Sequence, residues 1–234
     1  MFFTRKWIQF DEIGLVFKNG KFVKVIEEGK FWFFDLFNKI RVDVENQRSA
    51  WIVSNEIDQL VLSDQLDGKA MFIDLKDNER ALVWIDGRFD KVLGPGLYGF
   101  WNQFRKVEVE VIDANDLRVA RKDLEVILKN GSATSYLNVT DIPEGKVGVL
   151  FVNGEFSEIL PAGKQVFWKE VAKIKIVLIE EREQVMEISG QELMTLDKVT
   201  LRLNGQLTYR ITDARKSVET VENVDQAIYR EAQF

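Results

Sequence analysis

The sequence predicts a mostly β fold of the α+β class, with three consecutive small antiparallel β units, the last completed by two helices. Two features recur every 67 residues, a two-residue turn and a glycine corner, which indicates a repeat architecture. The turn glycines are Gly20, Gly87 and Gly154, and the corner glycines are Gly29, Gly96 and Gly163. A third observation is the alternation of apolar and polar residues beside these glycines, which is typical of strands with one buried face.

Each unit is expected to begin with a hairpin. Asn19-Gly20 and its two counterparts supply residues that accept positive φ at both turn positions, as a type I′ turn requires. The second strand runs into the corner glycine, where the missing Cβ lets the chain turn toward a pair of aromatics. A third, alternating strand follows, beginning at residues 39–42 in the first unit. One such unit cannot bury its aromatic face alone, so we expect neighbouring units to pack in series.

The predicted boundaries are 1–70 for the first unit, 71–140 for the second and 141–234 for the third. In the later half of the first two units, residues 55–75 and 121–139 predict a strand, a polar turn and another strand. The corresponding segment of the third unit, 189–211, predicts a long hairpin bent at Asn204-Gly205, with a bulge at that point as the alternative.

Two helices are predicted at the end of the third unit. Asp213 is placed to cap the first of them, and Asn223 the second, with Gln226 at the third position of a capping box. The sequence reaches Phe234 without a C-cap glycine, so we expect the second helix to continue beyond it.

Composition excludes several classes of protein. The chain has 234 residues, 46% of them hydrophobic, which is enough for packed cores. Its 32 basic and 38 acidic residues give a net charge of −6 and are well mixed, so we do not expect a nucleic-acid partner. The longest apolar runs, at 31–34 and 81–85, are far shorter than the ~20 residues of a membrane-spanning helix.

Catalytic and metal chemistry finds little support in the sequence. Histidine and cysteine are both absent, which excludes Ser-His-Asp and Cys-His sites and most zinc or copper sites within this chain. The loop 64–68 lacks the alternating oxygen ligands of a calcium loop, and 94–96 lacks the Lys-Ser/Thr of a phosphate loop. The acidic run at 180–183 is typical of a solvated strand edge. We therefore predict a protein that is not an enzyme and has no cofactor.

The N-terminal sequence has two interpretations. Phe2, Phe3 and Trp7 with Arg5 and Lys6 could lie in a lipid headgroup interface, with the aromatics inward and the cations toward anionic lipid. The alternative is a first strand whose aromatics cover the edge of the first unit. The favoured interpretation is the strand, because the stretch is short and only two of its residues are basic.

The C-terminal part of the chain resembles an SPFH (band 7) domain, as found in stomatins, slipins, prohibitins and flotillins. Residues 189–233 are similar to the middle of that domain, and 142–168 to its start. The matching residues are Gln191-Glu192, Met194-Thr195, Asp197, Val199-Thr200, Tyr209-Arg210, Asp213 and Gln226-Ala227. The first two units resemble only the N-terminal half of the domain. They stand where stomatins and slipins usually carry a membrane-inserted hydrophobic segment.

This resemblance implies a non-catalytic scaffold that forms homo-oligomeric rings or cages. Such an assembly would organise membrane lipids or membrane proteins such as proteases, with the protein in the cytoplasm and peripheral on the inner face of a membrane. The alternative is a soluble shell or adaptor similar to the vault, in which stacked β units lead into an SPFH-like domain.

Overall fold

The computed structural model describes residues 3–232, which divide into two compact bodies. The N-terminal body comprises the described residues up to 116 together with 121–136. The C-terminal body comprises 117–120 together with the described residues from 137 onward. Each body has its own hydrophobic clusters.

The N-terminal body contains one sheet topology twice, each time with a two-stranded and a three-stranded antiparallel sheet. Its ten strands are β1 (Phe3–Ile8), β2 (Glu12–Lys18), β3 (Lys21–Ile26), β4 (Gly29–Phe34), β5 (Ile40–Asn46), β6 (Ala70–Leu75), β7 (Glu79–Ile85), β8 (Arg88–Leu93), β9 (Gly96–Trp101) and β10 (Val107–Asp113). The first β unit forms the sheets β1-β4 and β3-β2-β5. The second forms β6-β9 and β10-β7-β8 in the same way.

The C-terminal body begins with the same topology and then departs from it. Its strands are β11 (Leu137–Ile142), β12 (Lys146–Val152), β13 (Glu155–Leu160), β14 (Gly163–Trp168), β15 (Ile174–Glu180), β16 (Gln184–Met194) and β17 (Thr200–Tyr209). They form the sheets β11-β14, β13-β12-β15 and the hairpin β16-β17. The fold class is therefore confirmed, with small antiparallel sheets in tandem and helices at the C-terminal end.

The predicted turns and corners are present. Asn19 has φ of 53° and Gly20 of 75°, and the two later turns have positive φ at both positions as well. Gly29 begins β4 with φ of 148°, a backbone conformation that residues with a Cβ rarely adopt.

The strand predicted at the start of each connecting segment is wrong, because both segments are helical. Residues 55–75 contain α1 (Ile57–Val61), a single 3-10 turn (Asp64–Leu66) and then β6. Residues 121–139 contain α2 (Leu124–Leu128) and α3 (Ala133–Tyr136) before β11. In the first connector, these short helices bury Leu60 and Leu66 in a hydrophobic cluster, and that tertiary contact outweighs the strand pattern.

Side chains from the first connector cap the outer edge of β3. Gln59 Oε1 accepts a hydrogen bond from the Phe22 amide at 2.8 Å, and Gln65 Oε1 accepts one from the Val25 amide at 2.9 Å. Each glutamine also donates through Nε2 to a carbonyl of the same stretch of chain. The side-chain amides thus take the place of a neighbouring strand.

The second connector caps β8 in the same way. Ser132 Oγ accepts from the Val92 amide at 3.2 Å, and Asn130 Nδ2 donates to the Asp90 carbonyl at 2.6 Å. The connector is therefore a recurrent structural part of the N-terminal body.

The two β units of the N-terminal body share a core. Trp101 of β9 is fully buried against Leu15 and Phe17 of β2. The extended segment that follows β5 adds to the outer edge of β9, where the Ile52 amide donates to the Gly99 carbonyl at 3.0 Å. The two-stranded sheet of the second unit is thus covered by the first unit.

The long hairpin of the C-terminal body turns at a different place from the predicted one. The chain reverses between β16 and β17, at residues 195–199, and Asn204-Gly205 lies within β17. The register shifts at Gly190, whose amide donates to Asn204 Oδ1 at 3.0 Å. The irregularity near Asn204 is therefore a bulge, which was the alternative interpretation.

Both predicted helix caps are present. Asp213 Oδ1 accepts from the Lys216 amide at the start of α4 (Ala214–Thr220), and Asn223 Oδ1 accepts from the Gln226 amide at the start of α5 (Val224–Glu231). α4 packs its buried Ala214 against the face of the β13-β12-β15 sheet. In the first unit, Trp101 packs against the corresponding face of the β3-β2-β5 sheet. α4 thus takes the place in the C-terminal body that Trp101 has in the first unit.

Candidate interaction surface

An exposed aromatic surface lies on one side of the β1-β4 sheet. Arg5 pairs with Trp32 and Trp7 pairs with Lys30, so these four side chains share one face of the antiparallel sheet. Phe34 lies on the same face two residues beyond Trp32. Trp7, Trp32 and Phe34 are 65%, 66% and 63% exposed. We call these five residues the open face.

Cations and aromatic rings alternate on the open face. The Arg5 guanidinium lies 5.5 Å from the ring centroid of Trp32, and the Lys30 ammonium lies 5.5 Å from that of Trp7. Both are cation–π contacts at an exposed site, where each is worth about 0.5–1 kcal/mol. The arrangement continues past the end of β4, where Lys39 lies over the exposed ring of Phe37.

The open face carries two positive charges, and a carboxylate follows it in the chain. Asp35 follows β4, but its carboxylate accepts hydrogen bonds from the backbone amides of Ile40, Lys39 and Phe37. These bonds, that from Ile40 above all, lower the pKa of Asp35, so the carboxylate stays ionised and its negative charge lies in the turn that follows β4. Arg5 and Lys30 carry the only formal charges on the open face.

The sequence-predicted residues are not all in one place. Arg5 and Trp7 lie on the open face, whereas Lys6 lies on the opposite face of β1 because side chains alternate along a strand. Phe3 belongs to β1 and is paired through its backbone with Phe34. Phe2 lies outside the described residues.

Sequence reasoning missed three members of the open face, which are Lys30, Trp32 and Phe34. The run of aromatics at 31–34 was visible, but it was considered only as an apolar stretch too short to span a membrane. Pairing the first strand with the strand after the corner glycine would have placed Trp32 opposite Arg5.

The positions that match Trp32 and Phe34 in the other units are covered. Trp101 and Trp168 occupy the position of Phe34 and are 0% and 1% exposed. Val166 occupies the position of Trp32 and is 2% exposed. The register of the two-stranded sheet is the same in all three units, so the difference lies in what covers the sheet.

An extended segment is bound at each of the two covered sheets. In the N-terminal body it is the segment around Ile52. In the C-terminal body the Val119 amide donates to the Val166 carbonyl at 2.9 Å, and the Trp168 amide donates to the Leu117 carbonyl at 3.0 Å. Within the described part of the chain, β4 pairs with β1 and with no other strand.

The loop 64–68 and the acidic run 180–183, which the sequence singled out for metal or acid–base chemistry, have structural roles. The loop 64–68 contains a 3-10 turn, and residues 3–232 contain no group of three or more side chains suited to hold a metal ion. In the acidic run, Arg182 donates to Glu180 at 2.6 Å and lowers the pKa of Glu180 to about 2. A carboxylate held ionised in this way is a poor general acid.

Tyr209 also has a strongly shifted pKa. Burial, followed by a 2.5 Å hydrogen bond to Asp225, raises the pKa of Tyr209 to about 12. The phenol donates this bond to join β17 to α5, which is a structural role.

The C-terminal body contains a match to a known protein family. Residues 140–233 match the SPFH domain / Band 7 family. This SPFH segment runs from β11 through α5, and the resemblance inferred from the sequence is thereby confirmed for it. The family is generally one of membrane-associated, non-catalytic scaffolds. No curated protein matches the chain.

The relation of the first two β units to the SPFH segment stays a prediction, since the matched range begins at residue 140. Among residues 3–232, no helix combines the length and the apolar character needed to span a bilayer.

Proposed function

We propose that this protein is a non-catalytic scaffold that associates peripherally with the inner face of a membrane and assembles into a ring or cage. The assembly organises membrane lipids or membrane proteins such as proteases. The observation that carries the proposal is the SPFH segment, which accounts for most of the C-terminal body.

Two features of the fold support a mechanical role. Tyr209, a group with a strongly shifted pKa, holds β17 and α5 together through its hydrogen bond to Asp225. The open face presents aromatics and cations together, which is the composition of a surface at a lipid interface. In such a scaffold, copies would bind to one another and to the membrane without making or breaking covalent bonds.

A second candidate function is a soluble shell or adaptor similar to the vault. The observation that favours it is the recurrence of one sheet topology in three consecutive units, the last of which lies in the SPFH segment. Both candidates require self-association, and only the first requires a membrane.

The two candidates are separated by measuring assembly and membrane binding on the same preparation of the chain. Sedimentation velocity reports the oligomeric state, and flotation with vesicles that contain anionic lipid reports membrane binding. Floating oligomers are expected. Oligomers that remain with the soluble fraction would favour the shell, and a monomer that does not float would overturn both candidates.

A further inference from the structure

We infer that the open face is the membrane-contacting surface and that it recognises anionic phospholipid headgroups. The inference rests on the proposed membrane association. It adds where on the protein the membrane is contacted, which residues make the contact and which class of lipid they recognise. Lys30, Trp32 and Phe34 of β4 join Arg5 and Trp7 of β1 in this assignment.

The burial of this face of the two-stranded sheet differs among the three units. The same face of the same two-stranded sheet is covered in the second and third units, where Trp101 and Trp168 are at most 1% exposed. In the first unit Trp32 and Phe34 are more than half exposed. A protein surface in contact with water rarely gathers several large aromatic side chains on one sheet face. Three exposed aromatics at that place therefore indicate a surface that is covered in the functional protein.

The open face combines aromatic and cationic side chains. Tryptophan and phenylalanine favour the boundary between acyl chains and headgroups, and the tryptophan N–H can bond there with water or phosphate. Arg5 and Lys30 lie between the rings and are 5.5 Å from them, so both charges are held at the level of the aromatics. This spacing brings the cations to the depth of the lipid phosphates when the rings enter the interface.

The positive charge of the open face distinguishes between the partners that could cover it. A second copy packed symmetrically on the open face would bring Arg5 and Lys30 of each copy close to the same residues of the other, and like charges oppose that contact. An anionic membrane surface attracts both residues. The charge therefore favours an anionic lipid surface over a second copy.

The experiment measures partition of the whole chain onto vesicles of phosphatidylcholine with and without phosphatidylserine. The aromatic variant carries Trp7→Ser and Trp32→Ser. The charge variant carries Arg5→Gln and Lys30→Gln. These side chains point away from the core of the first unit, so backbone pairing between β1 and β4 is retained, which circular dichroism checks.

Matched controls come from exposed sites in the same body. Val53→Ser with Leu62→Ser removes two apolar side chains that are 83% and 85% exposed. Lys21→Gln with Lys24→Gln removes two exposed cations on β3. Neither control changes the open face.

The expected result is binding that requires phosphatidylserine. The charge variant should bind about 30-fold more weakly, since each basic residue contributes roughly a factor of five at an anionic surface. The aromatic variant should lose at least about tenfold through the lost apolar contact. Both controls should bind as the unmodified chain does. Quenching of tryptophan fluorescence by lipids brominated on the acyl chain should fall in the aromatic variant.

Three results would overturn the inference. If the chain floats and both open-face variants float equally well, the membrane association stands but its site lies elsewhere. If no form floats, the proposed membrane role fails as well. If the aromatic variant changes the oligomeric state in sedimentation velocity while its vesicle binding is unaltered, a second copy covers the open face instead.

Discussion

Aromatic residues at matching positions have different surroundings in this protein. Phe34, Trp101 and Trp168 stand 67 residues apart in one sheet position, yet Phe34 is 63% exposed and the two tryptophans are buried. Residue type therefore does not distinguish core from surface here. What distinguishes them is whether another segment of the described chain covers the sheet.

Buried Trp101 lies next to the carboxylate of Glu45. The Trp101 indole N–H donates to Glu45 Oε2 at 3.1 Å. Partial burial raises the pKa of Glu45 because it disfavours the charged form, and the bond from Trp101 opposes this only in part. The folded state therefore binds the proton at a higher pH than the unfolded chain does. The contribution of Glu45 to stability falls as the pH rises from about 4.3 through the raised pKa.

We predict that Glu45→Gln makes the free energy of unfolding less dependent on pH between about pH 4 and pH 7, and larger at the upper end of that range. The amide oxygen of glutamine can still accept from Trp101, so the hydrogen bond is kept. Urea denaturation followed by tryptophan fluorescence checks this, with the exposed Glu28→Gln as control. An equal effect of Glu45→Gln at both ends of the range would contradict the explanation.

At the scale of elements, the connectors provide what an adjacent strand would otherwise provide. α1 and the 3-10 turn bring Gln59 and Gln65 to the outer edge of β3, and the second connector brings Asn130 and Ser132 to β8. An edge protected in this way has fewer free amides with which a second chain could pair. The short helices therefore stabilise the units and protect their edges.

We predict that Gln59→Ala with Gln65→Ala lowers the free energy of unfolding by about 1 kcal/mol for each glutamine. The amides of Phe22 and Val25 lose their acceptors, so their hydrogen exchange should become faster. Gln103→Ala, at an exposed site of the same body, serves as the control. Unchanged exchange at both amides would show that these bonds do not protect the edge.

At the scale of the whole molecule, the hydrophobic clusters lie in two bodies. Leu60 is fully buried in the N-terminal body, and Leu150 is 3% exposed in the C-terminal body. The SPFH segment is almost entirely in the second body. A substitution in one core should therefore have its main effect within one body.

We predict that Leu60→Ala and Leu150→Ala each cost about 2–5 kcal/mol and that the loss stays within the body that carries the substitution. Hydrogen exchange read by mass spectrometry checks this, because peptides from each body report separately. Each variant is the control for the other. Equal loss of protection in both bodies after either substitution would mean that the chain unfolds as one cooperative unit.

The sequence by itself determined the local features of this protein. Turns with positive φ at Asn19-Gly20, corners at glycines such as Gly29 and caps at Asp213 and Asn223 depend on a few neighbouring residues, so their physical chemistry can be read directly. The resemblance of the C-terminal part to an SPFH domain was also visible. Of the candidate site, Arg5 and Trp7 could be named from their types and positions.

Only the tertiary structure decided the rest, because it depends on residues that are distant in sequence. The first connector became helical since Leu60 and Leu66 find a core there, and the hairpin turned at 195–199, with a bulge at Gly190 in its register. Lys30 and Trp32 joined the open face through pairing of β4 with β1. An alternating pattern shows that a strand has an apolar face, but only packing shows whether that face is covered.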